Sequence, residues 1–240
     1  MAEIDISIII PVFNEEKNVW LVAEKYNEIL KNLKAEVIFV EDTGSTDNTR
    51  EELKKIAKKY PFVRNLFINE RGYGNSIYHG LKSAKGRYLA WTHADLQTDP
   101  NDPIKAYNLI IQQKSPENSY IKGNRKQRPL FDTFFTFGMS VFETLMLRKV
   151  LFDINAQPNL FHKSFLSNIT NPPKDFSFDL YFYYMAKKLD YNLIKLPVSF
   201  TKRLHGQSAW NTGLSSKWKF IKRTIKFTIE LKKRLKHSQG

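Results

Sequence analysis

The sequence predicts an α/β domain built around a largely parallel sheet with flanking helices. Short apolar runs alternate with stretches of helical spacing through the first half of the chain, an alternation typical of βαβ units. The 240 residues are 42% hydrophobic and 26% charged, which is the length and composition of one globular domain. Polar clusters directly follow three predicted strands, at the sheet edge where ligands bind.

The elements of the first half follow from the periodicity of apolar residues. Residues 6–10 form a β-branched run that Pro11 ends, and they are the first predicted strand. Further strands are predicted at 37–40, 63–68 and 88–91. Helical spacing between them predicts helices at 19–33, 46–59 and 76–84.

The second half is less regular. Helices are predicted at 103–113, 131–150 and 176–189, and strands at 120–122 and 191–198, whereas 158–166 is ambiguous. The long apolar segment 131–150 is interrupted by Asp132 and Glu143, so it is predicted to be a core or interfacial helix. We therefore expect a catalytic domain over residues 1–212 and a basic amphipathic helix over 213–240.

The C-terminal segment carries most of the net positive charge. The formal net charge is +14, and residues 217–240 contribute nine Lys/Arg against the single acid Glu230. At about 100° per residue, apolar and basic side chains fall on opposite arcs, as in helices that lie on anionic membranes. The alternative is a helix docked on the domain with its lysines in water. The apolar arc comprises Trp218, Phe220, Ile221, Ile225, Phe227, Ile229, Leu231 and Leu235, and the basic arc Lys219, Lys222, Arg223, Lys226, Lys233 and Arg234.

The cellular setting is predicted from what the sequence lacks. It has no cysteine, no N-terminal signal pattern and no apolar run near the roughly 18–20 residues that span a bilayer. We expect a cytoplasmic protein, peripheral on the cytoplasmic face of a membrane.

Two polar clusters point to a nucleoside site. Asn14 and Glu15 follow the first strand, where an amide and a carboxylate suit a ribose or a base edge, although both residues also suit a helix start. Asp42, Gly44 and Ser45 follow the second strand. Glycine permits close backbone approach and the acid accepts hydroxyl hydrogen bonds. The alternative is that Ser45 or Thr46 caps the next helix and Asp47 complements its dipole.

The third cluster follows the fourth strand. Alternation along an extended segment would place His93, Asp95 and Gln97 on one side. Their nitrogen and oxygen atoms could then bind a divalent cation. The alternative is an ordinary polar loop.

Four segments, in order and spacing, resemble the family 2 glycosyltransferases of the GT-A fold. They are PVFNEE, EDTGSTD, RGYGNSI with GLKSAKGRY, and HADLQTDP. Within that family the chain looks most like dolichol- or polyprenyl-phosphate mannose or glucose synthases. The resemblance covers roughly residues 5 to 210.

The resemblance implies roles for residues of the first half. Pro11, Asn14 and Glu15 would line the nucleotide pocket, and Asp42 would contact the base or ribose of a UDP or GDP sugar. Asp95 and Gln97 would bind Mn²⁺ or Mg²⁺ bridging the diphosphate. His93 stands where the family commonly has the first Asp of a D-x-D. It would ligate Mn²⁺, which accepts imidazole more readily than Mg²⁺ does, bind a phosphate, or shape the loop.

In the second half, Arg125 and Arg128 resemble the family's G-x-R stretch and would bind phosphate. Arg203 and Ser208 fall in R-L-H-G-Q-S, which resembles a loop that closes over the diphosphate. Asp153 lies in the acceptor-side segment.

The resemblance also implies transfer with inversion, and two acceptors stay open. A lipid phosphate is already an anion and needs no strong base, whereas a glycan hydroxyl needs one, for which Asp153 is the candidate. For a lipid acceptor, peripheral binding or a separate membrane subunit would deliver the lipid.

Two other classes of protein also fit parts of the sequence. The charge and the 14% aromatic content also fit a nucleic-acid-binding protein, but no nucleic-acid motif is present, so no nucleic-acid partner is expected. His93 also fits a nucleotide-sugar binder that has lost catalysis.

Overall fold

The computed structural model describes residues 3–126, 130–201 and 214–237. The strands are β1 (Ile6–Val12), β2 (Ala35–Asp42), β3 (Val63–Ile68), β4 (Tyr88–Trp91), β5 (Ser119–Lys126), β6 (Asn159–His162) and β7 (Asn192–Ser199). The helices are α1 (Val19–Ile29), α2 (Thr49–Lys59), α3 (Tyr73–Ser83), α4 (Asp102–Ile111), α5 (Leu130–Leu147), α6 (Ser177–Lys188) and α7 (Leu214–His237). Short 3₁₀ turns occupy Pro116–Asn118 and Lys163–Asn168.

The seven strands form one sheet in the order β3-β2-β1-β4-β6-β5-β7. β1 pairs in parallel with β2 and β4, β2 with β3, and β5 with β7. β6 is antiparallel to both of its neighbours, β4 and β5. The prediction of an α/β fold with a largely parallel sheet is confirmed, and the ambiguous segment 158–166 contains β6 followed directly by a 3₁₀ turn.

Helices cover both faces of the sheet because the strands are apolar on both sides. α1, α2 and α4 pack on the face that carries Ile8, Ile10 and Phe39. α3 and α6, with parts of α5 and α7, pack on the face that carries Ile9, Ile38 and Trp91. The carboxyl ends of β1, β2, β3 and β4 are thereby left open at one edge, which is where the polar loops lie.

α3 begins at Tyr73, three residues before the predicted start. Gly72, with φ of 142°, precedes it, and Gly74 lies in its first turn. A Cβ on Gly72 would lie 2.4 Å from the carbonyl oxygen of Lys174, and one on Gly74 would lie 2.4 Å from that of Pro173. The absence of side chains at these two glycines lets the segment around Lys174 pack against the start of α3. The helix therefore includes Gly74 and begins earlier than predicted.

α7 docks on the domain through one narrow stripe. Thr224, Phe227, Thr228 and Leu231, spaced by three or four residues, are buried, while Ile229 is 40% exposed. Its basic side chains Lys222, Lys226 and Lys233 are exposed. The docked alternative thus describes the middle of α7, because part of the predicted apolar arc belongs to the protein core. In the part of the chain that the structure describes, no helix is both long and apolar enough to cross a membrane.

Candidate active site

The loops after β1 and β2 are tied together by polar side chains. Asn14, whose φ is 55°, accepts a hydrogen bond from the backbone N–H of Thr46 at 2.7 Å. The N–H of Asn14 donates to Ser45 Oγ at 3.2 Å. The N–H of Glu15 donates to Thr49 Oγ1 at 2.8 Å, at the start of α2. Asn14, Glu15 and Ser45, three predicted nucleotide-site residues, therefore belong to one interlocked pair of loops.

The cap of α2 differs from the expected one. The residue that precedes α2 is Asn48, which makes no side-chain cap hydrogen bond. Asp47, one residue earlier, accepts the N–H of Thr49, the first residue of α2, through its Oδ1 at 3.0 Å. Asp47 also lies at the helix N-terminus, where negative charge is favourable. The alternative that Ser45 or Thr46 caps α2 is wrong: Ser45 Oγ accepts the backbone N–H of Asn14, and Thr46 bonds to the Asn14 side chain.

Asp42 ties the β2 loop to the β3 loop. It is only 5% exposed, and its two carboxylate oxygens accept backbone hydrogen bonds from Gly44 at 2.9 Å and from Gly72 at 3.1 Å. A carboxylate has about four acceptor positions, so it retains capacity for a ligand hydroxyl. The position of Asp42 is thus fixed by two loops at once.

The site is tightest around Gly44. A Cβ there would lie 2.7 Å from Arg71 Nε, 2.8 Å from Phe13 Cε2 and 2.9 Å from Asp42 Oδ1. The Arg71 guanidinium lies 4.6 Å above the centre of the Phe13 ring, a cation–π contact. Sequence reasoning assigned no role to Arg71 or Phe13, although both lie inside the quoted motifs.

The β4 loop holds the third cluster in a turn. Leu96 has φ of 55°, and Asp95 Oδ1 accepts the N–H of Gln97 at 3.1 Å. The prediction of an extended segment is therefore wrong, although Asp95 and Gln97 still lie together. Asp95 is 4% exposed. His93 is half-buried, and its ring stacks on Tyr73 with centroids 5.7 Å apart.

Gln97 connects this loop to the end of β7. Its backbone carbonyl accepts the N–H of Thr201 at 2.8 Å, and its Nε2 donates to the Thr201 carbonyl at 3.0 Å. The neighbouring Phe200 ring lies 5.4 Å below the Arg125 guanidinium. The β7 end therefore contacts both the predicted metal loop and the predicted phosphate arginine.

Arg125 and Asp153 form a buried ion pair, with side chains 9% and 11% exposed. Arg125 donates to Asp153 through its backbone N–H at 2.7 Å, through Nε at 2.8 Å and through a further guanidinium nitrogen. Burial alone would raise the pKa of the Asp153 carboxyl, but the charge and hydrogen bonds of Arg125 outweigh it and lower that pKa. A carboxylate held in this way is a weak proton acceptor.

A buried polar network lies behind the β4 loop. Asp179 on α6, 1% exposed, accepts hydrogen bonds from Trp91 Nε1 at 3.0 Å and Gln157 Nε2 at 2.9 Å. Gln157 also donates to the Tyr73 hydroxyl at 3.1 Å. Burial and the charge of Asp179 raise the pKa of Tyr73 well above its ordinary value. Sequence reasoning missed Asp179; the signal was a lone acid in a strongly aromatic helix.

The remaining predicted residues are placed as follows. Pro11 lies within β1, opposite Val40 of β2. Arg128, Arg203 and Ser208 lie outside the described residues, so their assignments remain predictions.

The β4 loop offers part of a ligand set for a divalent cation. Asp95 supplies a carboxylate and Gln97 an amide oxygen, both oxygen donors of the kind Mg²⁺ and Mn²⁺ take. Among the described residues, however, no three His, Cys, Asp or Glu side chains lie close enough to hold an ion. An ion here would need further oxygens from a bound diphosphate and from water.

The fold and these loops define an α/β protein with a polar ligand site at the carboxyl edge of its sheet. The chain belongs to glycosyl transferase family 2, a family of glycosyltransferase enzymes, whose model matches residues 7–163.

Two curated relatives are similar to the chain. The dolichol-phosphate mannosyltransferase of Pyrococcus furiosus is 26% identical over 60% of this chain and 42% of its own length. The dodecaprenyl-phosphate galacturonate synthase of Rhizobium johnstonii is 28% identical over 53% of this chain and 38% of its own. The chain therefore spans about two fifths of the length of these relatives.

Solved structures share the fold. Glucosyl-3-phosphoglycerate synthase from Mycobacterium tuberculosis, in complex with Mn²⁺, uridine diphosphate and glucosyl-3-phosphoglycerate, matches with a TM-score of 0.73 at 14% identity. The match covers 95% of this chain and 79% of that one. A complex of the same enzyme with Mg²⁺ and uridine diphosphate matches at 0.67 and 11% identity, over 89% of this chain and 75% of that one. The expected GT-A fold is thereby confirmed.

Proposed function

We propose that this chain transfers a hexose from a nucleotide-diphospho-sugar, UDP- or GDP-linked, to a polyprenyl phosphate at a membrane surface, with inversion at the anomeric carbon. One observation supports the donor site most strongly: each of the loops after β1, β2, β3, β4 and β7 contacts the next at one edge of the sheet. A donor with a base, a ribose and a diphosphate is long enough to need a site built from several adjoining loops. The joining pairs are Asn14–Ser45, Asp42–Gly72, Tyr73–His93 and Gln97–Thr201.

In this proposal different site residues bind different parts of the donor. The pocket for the nucleoside is lined by Pro11, Asn14, Glu15, Gly44 and Ser45. Asp42 accepts a hydrogen bond from the ribose or the base. Asp95 and Gln97 would hold a divalent metal ion, which would supply positive charge to the leaving diphosphate. The catalytic unit in this proposal is residues 1–212.

Preorganised positive charge at the leaving group is the main source of catalysis in such a transfer. In our proposal Arg203 supplies it to the diphosphate, and Arg125, Arg128 and Ser208 bind phosphate oxygens. His93 stands beside the diphosphate and shapes the loop.

The acceptor assignment is supported by the state of Asp153. A hydroxyl acceptor needs a base, but Arg125 occupies Asp153 through three hydrogen bonds and lowers its pKa. A phosphate acceptor is already ionised and needs positioning instead. The names of the two curated relatives, both polyprenyl-type phosphate sugar transferases, support the same choice. A glycan hydroxyl in cell-surface polysaccharide synthesis is the alternative.

The membrane part of the proposal uses the exposed side of the molecule near α5 and α7. Leu145 is 73% exposed, Val150 55% and Phe152 42%. The lysines of α7 add positive charge that anionic lipid would attract. A separate membrane subunit remains a second way to deliver the lipid.

The deciding experiment measures donor binding and turnover with one variant and its matched control. Wild-type protein is titrated with UDP, GDP and their hexose derivatives with Mn²⁺ or Mg²⁺, and a radiolabelled sugar is followed into a polyprenyl phosphate. Asp95→Asn should abolish transfer, and Asp190→Asn, at an 88% exposed carboxylate, should not. Binding of an oligonucleotide in place of nucleotides would support the nucleic-acid reading, and donor binding without transfer to any acceptor would identify a catalytically inactive binder.

A further inference from the structure

A row of stacked groups connects the β4 loop to the C-terminal helix. The His93 ring stacks on Tyr73 with centroids 5.7 Å apart and planes 24° from parallel. Tyr73 stacks in turn on Phe176, at 4.5 Å and 16°. The guanidinium of Arg223, on α7, lies 5.2 Å from the centre of the Phe176 ring. We call His93, Tyr73, Phe176 and Arg223 the aromatic row.

Each inner member of the row is fixed by contacts outside it. The Tyr73 hydroxyl receives a hydrogen bond from Gln157 at 3.1 Å, within the network centred on Asp179. The segment before Phe176 is held against α3, because the N–H of Asn75 donates to the Lys174 carbonyl at 3.1 Å. Tyr73 and Phe176 therefore cannot slide apart without breaking backbone contacts.

The outer member is fixed by charge. Arg223 Nε lies 3.2 Å from Asp175 Oδ2, and the other oxygen of Asp175 accepts the N–H of Ser177 at 2.8 Å. Arg223 therefore contacts both the aromatic row and the N-terminus of α6. One turn further along, α7 is anchored in the core by Phe227.

The row differs from the core around it. The rings around Trp91 meet it edge to face, at interplanar angles of 69°, 74° and 81°, and they are buried. The members of the row are only partly buried, and their rings lie nearly parallel. Its free end is His93, two residues before Asp95. Parallel ring pairs also occur in the core, with Phe178 and Phe182 at 28° and Tyr120 and Phe161 at 16°. What sets the row apart is that it is only partly buried and that it ends at the β4 loop.

We propose that Tyr73 and Phe176 are positioning residues that hold His93 and the β4 loop in the donor-binding geometry, and that Arg223 makes α7 part of this support. Loosening α7 therefore weakens the donor site, although α7 does not touch the donor. The donor-binding part rests on the proposed function, whereas the support of His93 does not.

The direct readout is the ring-proton resonance of His93 in histidine-labelled protein, assigned with His93→Gln. A stacked tyrosine shifts these protons upfield by its ring current. Tyr73→Leu should move them downfield, and Tyr73→Phe, which keeps the ring, should leave them in place. Arg223→Ala should move them in the same direction by less, and Lys226→Ala, one turn away on α7, should not move them.

The second readout is the Kd for UDP with Mn²⁺. A stacked aromatic pair contributes enough that its loss corresponds to roughly a two- to tenfold weaker Kd. We expect that loss in Tyr73→Leu and a smaller one in Arg223→Ala, with affinity regained in Tyr73→Phe. If Tyr73→Leu does not fold, Phe176→Leu tests the same row.

The outcomes separate the two claims. Unchanged His93 resonances in Tyr73→Leu or Phe176→Leu would overturn the positioning role. An Arg223→Ala spectrum identical to that of Lys226→Ala would overturn the link to α7. If the wild type binds no nucleotide, the proposed function fails, while the His93 resonances still decide whether the row holds this loop.

Discussion

The hydroxyl of Thr228 on α7 donates a hydrogen bond of 2.6 Å to Glu143 Oε2 on α5, and neither side chain is exposed to solvent. The second oxygen, Oε1, has no hydrogen-bond partner among the residues that the structure describes. A buried carboxylate with one neutral donor is costly to ionise. Burial accordingly raises the pKa of Glu143 to about 7, with the Thr228 bond opposing the shift.

This pair predicts that the docking of α7 weakens as pH rises. The folded-state pKa lies above the ordinary value of 4.5, so the contribution of Glu143 is complete below pH 4.5 and is lost as pH rises through about 7. The loss is at most about 3.5 kcal/mol, since each pKa unit is worth about 1.4 kcal/mol.

The measurement is urea unfolding of wild type and Glu143→Gln from pH 4.5 to 8. The amide cannot ionise, so the stability of the wild type relative to the variant should fall across this interval. A constant difference would mean that folding does not shift the pKa of Glu143.

The close packing around Gly44 predicts that Gly44→Ala weakens donor binding while the protein still folds. Gly44→Ala would place a methyl group within 3 Å of Phe13 and Asp42, which must displace the Phe13 ring or the carboxylate. We expect roughly tenfold weaker binding of UDP or GDP, equal to about 1.4 kcal/mol. Calorimetric titration measures it.

Gly138→Ala is the matched control, because an added Cβ there meets nothing within 4 Å. That substitution should leave nucleotide affinity unchanged and stabilise α5 by about 1 kcal/mol. Normal nucleotide affinity in Gly44→Ala would remove Gly44 from the proposed pocket.

The ion pair between Arg125 and Asp153 predicts that replacing Asp153 lowers the free energy of unfolding. Asp153→Asn leaves the Arg125 guanidinium buried without its counter-charge, which typically costs about 3–5 kcal/mol. Chemical denaturation measures it. The lowered pKa of Asp153 predicts the pH dependence as well: its contribution is present above the ordinary value of 3.8 and disappears as pH falls below it.

The same variant separates the two acceptor readings. If Asp153 acts as a base, Asp153→Asn at near-native stability would lose transfer and also the acidic limb of its pH profile, because a base must be deprotonated to act. If Asp153 only holds Arg125, the loss of transfer follows the loss of folded protein and of the Arg125 position, and the shape of the pH profile stays the same. Arg125→Lys, which cannot form the same bidentate contact, should then resemble Asp153→Asn.

The fold was largely predictable because its strands and helices carry strong local periods. β6 was the exception, because this strand runs directly into the 3₁₀ turn Lys163–Asn168 and the two together follow neither a strand nor a helix period. The partial burial of α7 could not be predicted either. Phe227, Leu231 and Ile229 are all large apolar residues, and only the neighbouring helices decide which of them is covered.

The site was predictable in its residues but less so in its contacts. The clusters at Asn14, Asp42 and Asp95 were found because each follows a strand, and parallel strands end at one edge. The pairing of Asn14 with Ser45 joins residues 31 apart in sequence, which no local pattern encodes. Tyr73 lay inside a quoted motif, yet its stacking on His93 depends on how α3 meets the β4 loop.

The last prediction concerns membrane contact, and the docking of α7 decides its design. Deleting residues 215–240 would uncover the core around Phe227 and Leu231, so lost vesicle binding could reflect lost folding. Replacing the exposed Lys222, Lys226 and Lys233 by Gln leaves that core intact. Each lysine near an anionic surface contributes about 1 kcal/mol, so binding to phosphatidylglycerol vesicles should weaken by roughly two orders of magnitude at low salt and less at high salt. The control replaces Lys54, Lys55 and Lys58 by Gln on α2, which packs on the other face of the sheet. Cosedimentation that falls equally in both triple variants would show that net charge alone drives adsorption, and cosedimentation unchanged in the α7 variant would exclude this helix as the membrane-facing surface.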